Sequence, residues 1–158
     1  MTMTDFLKLL AGEWAGTGLG GYPTLESFEY LETLSFTSDE TRPLLHYQQK
    51  TYRRNIGQTD FVPSHWETGF LYLISDNQVE VANAQIGGRV EVLAGTIEPA
   101  PAGLVLRLQS SHFANDPRIQ ESSRTITVKG DTLHYSMHMQ TTKVPQLTMH
   151  LEATLERR

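Results

Sequence analysis

Short runs in which apolar and polar residues alternate recur along almost the whole chain, each closed by residues that tolerate turns. A period of two belongs to β-strands, whose successive side chains point to opposite faces. Phe28, Tyr30, Leu34 and Phe36 give the clearest case. Further strand candidates are Leu44 to Tyr52, Trp66 to Ile74, Val79 to Ala84, Val90 to Ile97, Leu104 to Ser110, Arg124 to Val128, Leu133 to Met139 and Leu147 to Leu155. With Trp14 to Leu19 as the first, roughly ten strands result. Asp76-Asn77, Gly87-Gly88, Pro99 to Gly103 and Gly130-Asp131 supply turn chemistry between them, so neighbours are expected to pair as hairpins. A sheet of this many strands exposes costly edges unless it closes. The expected fold is therefore an all-β, up-and-down antiparallel barrel of the lipocalin or calycin kind, with a two-sheet sandwich as the rival.

The one helix signal is at the start, with Thr4 as N-cap, Asp5 in the first turn, and Phe6, Leu7, Leu9 and Leu10 ahead of Gly12. It amounts to one or two turns. A chain of 158 residues suits one domain over 1–158. Ile56 to Pro63 and Phe113 to Gln120 read as the longer loops.

Charge and composition remove several function classes. With 18 acidic against 13 basic side chains and a net charge of −5, no basic footprint for nucleic acid exists. The absence of cysteine excludes disulfides, thiolate nucleophiles and zinc–cysteine sites. The first ten residues show neither a basic leader nor an apolar run of spanning length, so a cytoplasmic protein without a membrane partner is expected. Nucleophile elbows, phosphate loops and the His-Glu-x-x-His zinc motif are missing, and the acidic residues are scattered singly.

One stretch is more specific: Gly12-Glu-Trp14-Ala-Gly16-Thr-Gly18 fits a Gly-x-Trp-x-Gly-x-Gly pattern. Trp14 reads as a structural plug for the closed end of a barrel, with an indole N–H that needs a partner. Tyr22-Pro-Thr24-Leu25, Phe28-Glu-Tyr30, Pro63-Ser-His65-Trp-Glu67, Gly69-Phe70-Leu71, Gly130-Asp-x-Leu133-x-Tyr135 and His150-Leu151-x-Ala153-x-Leu155 follow in order. Over nearly the whole chain this set resembles the nitrobindin family of haem-binding barrels. Two positions depart from the family pattern: Tyr72 stands where a basic residue is common, and His138 where an apolar one is usual.

The resemblance implies haem b as cofactor, His150 as the axial ligand of its iron, and Thr24 and His65 as further haem-binding residues. It also implies ferric iron that binds nitric oxide or peroxynitrite and isomerises peroxynitrite to nitrate, with a homodimer as a possible assembly. A non-haem carrier of a small apolar ligand, in the manner of fatty-acid-binding proteins, is the alternative use of such a barrel. For His65 a plain loop or strand-end role stands beside the haem role, and for Thr24 a turn role. His46, His112 and His134 carry no motif, and Met137 and Met139 read as core filling.

Strand parity conflicts with the ligand role. Leu147, Met149, Leu151, Ala153 and Leu155 share one face, while Thr148, His150, Glu152, Thr154 and Glu156 share the other. If the apolar face looks inward, His150 looks at solvent. Two arrangements resolve the conflict: a β-bulge that breaks the alternation, or a cavity lined by the mixed polar face.

Overall fold

The computed structural model describes residues 2–158 and consists of one helix followed by ten strands. These are α1 (Met3–Leu10), β1 (Gly12–Tyr22), β2 (Leu25–Thr37), β3 (Leu44–Asn55), β4 (Val62–Leu73), β5 (Gln78–Gln85), β6 (Val90–Ala100), β7 (Gly103–Ala114), β8 (Ile119–Lys129), β9 (Thr132–Thr141) and β10 (Thr148–Arg157). Each strand pairs antiparallel with the next, and β1 pairs with β10, so the sheet closes on itself and keeps no free edge. The expected barrel is found, and the sandwich is excluded by the β1–β10 ladder.

The strands run longer than strict alternation suggests, because several contain a register shift at which the side-chain parity changes. The helix cap also differs from expectation: it falls on Thr2, and Thr4 lies inside the helix. Thr2 donates both its backbone N–H and its hydroxyl to the Asp5 carboxylate, each at 2.8 Å, which ties down the first turn.

α1 closes one end of the barrel. Its buried face is Phe6, Leu7 and Leu10, spaced to share one side of a helix. The carbonyls its last turn leaves unpaired find two partners. The Trp14 indole donates to Leu10 O at 2.9 Å, and the Arg157 guanidinium donates to Leu9 O and Ala11 O. Arg157 also lies 4.2 Å from the centre of the Trp14 ring, so a cation sits where the helix presents its negative end. The plug role expected for Trp14 is thereby given its hydrogen-bond partner.

The glycines of the Gly-x-Trp-x-Gly-x-Gly stretch are explained by close approaches. A Cβ on Gly16 would lie 2.1 Å from Thr154 O across the closing ladder, and one on Gly18 would lie 2.2 Å from the Tyr30 ring. Gly16→Ala is therefore expected to destabilise the protein by about 1–3 kcal/mol through overpacking at the β1–β10 seam. Urea unfolding midpoints of the two proteins measure this.

Candidate functional site

β1, β3, β5, β7 and β9 run from the plugged end toward the opposite, open end, and the remaining strands return. A cavity of about 210 Å³ enters from the open end. Phe28, Leu25, His65, Arg53, Arg89, Met137, His150 and Leu151 stand around its mouth.

His150 reaches the cavity through a bulge. On β10, Met149 pairs with His138 and Leu151 with Met137, so His150 is the one extra residue between them. Below it the alternation is normal, with Ala153 and Leu155 buried in the barrel. Above it the parity is inverted, and Leu147 and Met149, expected to share the inner face, are exposed. Of the two arrangements that would bring His150 inward, the structure has the first.

The imidazole is held in a defined state. β1 stops pairing with β10 at Gly20–Leu151, which leaves the Gly21 carbonyl free to accept from His150 Nδ1–H at 3.0 Å. A carbonyl only accepts, so Nδ1 carries the proton, and Nε2 presents its lone pair without a partner among the described residues. Tyr22 and Phe28 meet the ring edge-on, with centroids at 5.5 and 6.4 Å. Burial pushes the His150 pKa below its ordinary value, with the Gly21 hydrogen bond opposing, so the ring is neutral at pH 7.

The other expected residues are placed as follows. His65 lines the cavity, donates its backbone N–H to Thr51 Oγ1, and has Nε2 3.1 Å from Glu67 Oε1. Thr24 sits exposed in the two-residue turn between β1 and β2, at the rim, while its neighbour Leu25 lines the cavity. Gly12, Trp14, Gly16 and Gly18 serve the closed end and the seam. Tyr72 and His138 both alternate outward, Tyr72 against Phe70 and His138 opposite the bulge, so neither departure touches the cavity wall. His134 pairs with Glu152 on the outer surface, and Met137 lines the cavity.

Deeper in the barrel lies a polar assembly that the sequence did not announce. Arg124 on β8 reaches across the lumen to Glu67 on β4, with Nη1 to Oε2 at 2.8 Å, and its Nη2 donates to Glu91 Oε1 on β6 at 2.6 Å. Both carboxylates are 2% exposed or less. Tyr47 donates to Glu67, while Asn83 and Ser122 donate to Glu91. Burial pushes the Glu67 carboxyl up, but Arg124 and His65 outweigh it and hold the group well below the usual carboxylate range. Burial likewise opposes charge on Arg124, and the two carboxylates overcome it. We call this assembly the crossbar.

A second cluster lies beside it. Tyr135 donates to Glu32 Oε2 at 2.6 Å, Gln49 donates to Oε1 at 2.5 Å, and the Tyr30 and Tyr135 hydroxyls are 2.8 Å apart. Burial pushes Glu32 up to about 7, against the hydrogen bonds from Tyr135 and Gln49. Among the described residues no three His, Asp or Glu side chains converge to hold a bare metal ion. Among the described residues no helix is long and apolar enough to cross a membrane.

A closed calycin-like barrel, plugged at one end and open at the other onto a cavity lined by His65 and His150, defines a binding protein for a cofactor or small molecule. Residues 4–157 match the model of the THAP4-like, heme-binding beta-barrel domain, and the chain belongs to this haem-binding family. It is 37% identical over 157 residues to peroxynitrite isomerase 2 of Mycobacterium ulcerans, covering 98% of this chain and 94% of the relative. It is 36% identical over 154 residues to the peroxynitrite isomerase of Nocardia farcinica, covering 96% and 88%. The fold superposes on the crystal structure of Rv2717c from M. tuberculosis with a TM-score of 0.88, 33% identity and coverage of 99% and 97%. The S-type phycobiliprotein lyase CPES of Guillardia theta, at TM-score 0.68 and 12% identity, shares the fold.

Two outcomes follow for the buried charges. Arg124→Leu leaves two buried carboxylates without their counter-ion and is expected to cost about 3–5 kcal/mol of stability in urea unfolding at pH 7. Glu32 has a folded pKa raised above its unfolded value, so its contribution is full below about pH 4.5 and is lost as pH rises through about 7. Unfolding midpoints between pH 5 and 8 should fall less steeply in Glu32→Gln than in the native protein.

Proposed function

We propose that His150 is the axial ligand of the haem iron and that the protein isomerises peroxynitrite to nitrate. The observation that carries the ligand assignment is the state of the ring. Nδ1–H is committed to Gly21 O, Nε2 has no hydrogen-bond partner among the described residues, and the bulge brings the ring to the cavity wall. An imidazole used this way needs its second nitrogen fixed by a carbonyl or carboxylate, which sets the tautomer and raises ligand basicity. Burial favours the neutral form, so the lone pair is available without loss of a proton.

When bound, ferric haem supplies a Lewis-acidic iron with one coordination position left open for a small nitrogen oxide. The protein's own part is to bind, orient and exclude water. Phe28, Leu25, Met137 and Leu151 give the mouth apolar walls suited to a porphyrin face. Arg53 stands at the mouth without an ion-pair partner among the described residues, its guanidinium 5.3 Å from the Phe28 ring centre. In a chain of net charge −5 it places positive charge where an anionic reactant or a porphyrin carboxylate arrives. His65 is held by Glu67 with Nε2 toward the carboxylate, which leaves Nδ1 as the atom able to meet a bound ligand. Thr24 extends the rim on the β1–β2 side, where its hydroxyl serves a porphyrin edge. A cysteine-free chain suits the cytoplasm, which we take as its location.

The test is reconstitution with hemin. The native protein is expected to give a Soret band distinct from free hemin and to accelerate peroxynitrite decay to nitrate in stopped-flow above the free-hemin rate. His150→Ala is expected to lose both. An identical Soret band in the variant would overturn the ligand assignment, and a native rate equal to that of free hemin would overturn the activity.

A further inference from the structure

The cluster around Glu32 takes no part in the ligand role of His150 or in the crossbar. Its hydroxyls form a directed chain: Tyr135 donates to Glu32 Oε2 at 2.6 Å, so the Tyr30 hydroxyl, 2.8 Å away, donates to Tyr135. Both phenols are buried, and both line the cavity. Aromatic rings connect them to the mouth. The Phe28 ring centre lies 6.4 Å from that of His150 and 6.1 Å from that of Tyr30. Such steps are short for electron tunnelling, whereas a proton has to be handed across hydrogen bonds.

A phenol gives up an electron readily only when its proton has a base to go to, and more readily the stronger the base. The phenols near the cavity differ in this respect. Tyr22 donates to Met139 O, a backbone carbonyl of negligible basicity. Tyr47 donates to Glu67, whose carboxyl burial pushes up but Arg124 and His65 hold well below the usual carboxylate range, a weak base beside a fixed cation. Tyr135 alone of the three donates to a strong carboxylate base. Burial pushes Glu32 up to about 7, against hydrogen bonds from the neutral Tyr135 and Gln49; of the more distant charges, Glu67 raises it and Arg124 lowers it.

We propose that the chain Tyr30–Tyr135–Glu32 is an internal reductant for nitrogen dioxide, the one-electron oxidant set free when the peroxide O–O bond of peroxynitrite breaks homolytically. Nitrogen dioxide in the cavity takes one electron from Tyr30 and becomes nitrite. The Tyr30 O–H bond breaks and its proton passes to the Tyr135 oxygen, while the Tyr135 proton passes to the Glu32 carboxylate. Tyr30 is left as a phenoxyl radical, Tyr135 is unchanged, and Glu32 is neutral. Ascorbate, which gives an electron and a proton, resets the chain. The source of the oxidant rests on the function proposed above; the chemistry of the phenols does not.

Pulse radiolysis of nitrite supplies nitrogen dioxide without haem or peroxynitrite, and separates the two readings. The measurement uses haem-free protein carrying Tyr52→Phe and Tyr72→Phe, which removes the outer phenols. Phenoxyl absorbance is expected after the pulse, about tenfold or more weaker when Tyr135→Phe or Glu32→Gln is added, and within about twofold of the parent when Tyr47→Phe is added. Without any change in the cluster, the yield is expected to rise about tenfold between about pH 6 and 8, as Glu32 becomes a carboxylate. Hemin-loaded protein mixed with peroxynitrite is expected to show the same phenoxyl by freeze-quench EPR, and to lose it with Tyr135→Phe. A yield unchanged by Tyr135→Phe or Glu32→Gln, a loss with Tyr47→Phe equal to theirs, or a flat pH profile would each overturn the proposal. Failure of the haem reading appears separately, as the lack of a distinct Soret band while the radiolysis result stands.

Discussion

A guanidinium stretched across the lumen of a barrel between two buried carboxylates is the interaction on which the interior depends. Taking three charges out of water is costly, and they persist there only because nearly every polar atom is matched. Arg124 holds Glu67 and Glu91, and Tyr47, Asn83 and Ser122 satisfy the remaining carboxylate lone pairs. These residues come from β3, β4, β5, β6 and β8, so the network connects half of the barrel wall through its centre. Glu67 also steadies His65, which carries the order of the interior out to the mouth.

The two ends of the barrel are built differently for the same reason. The closed end has few polar groups to place, and those it has belong to the helix terminus, whose carbonyls are taken by Trp14 and Arg157. The open end carries His150 in the cavity wall, with Nε2 unpaired among the described residues. Rigid packing at one end allows this at the other, since the strands that carry His65 and His150 run continuously down into the plug and the core.

Much of this was legible in the sequence where local pattern decides. On β2 the inward Phe28, Tyr30, Leu34 and Phe36 read directly from alternation, with Glu32 the one acidic member of that face, and the turn residues mark most hairpins. β4 defeats the same reading, because Glu67 and Gly69 face inward while Trp66 and Phe70 face out, 48% and 42% exposed. The crossbar left no signal in spacing. Glu67, Glu91 and Arg124 are far apart in the chain, and only closure of the sheet brings their strands to face one another. The retrievable clue was parity within β4, where Glu67 is in step with the apolar Leu71 and Leu73. His150 was named by resemblance alone, since the pairing register that turns it inward depends on β9 and β1 and is invisible within β10 itself.

The bulge at His150 has a consequence for how such a site is kept or lost across descendants. The position of the imidazole is stored in the length of a strand, as one residue more than the partner strand supplies. Deleting Met149 would restore plain alternation and swing an unaltered histidine to the outer surface, with the Gly21 carbonyl left behind. A lineage can thus lose the inward imidazole without changing the histidine. In comparing relatives, the number of residues between the pairings that flank the bulge on β10 carries as much information as the histidine itself.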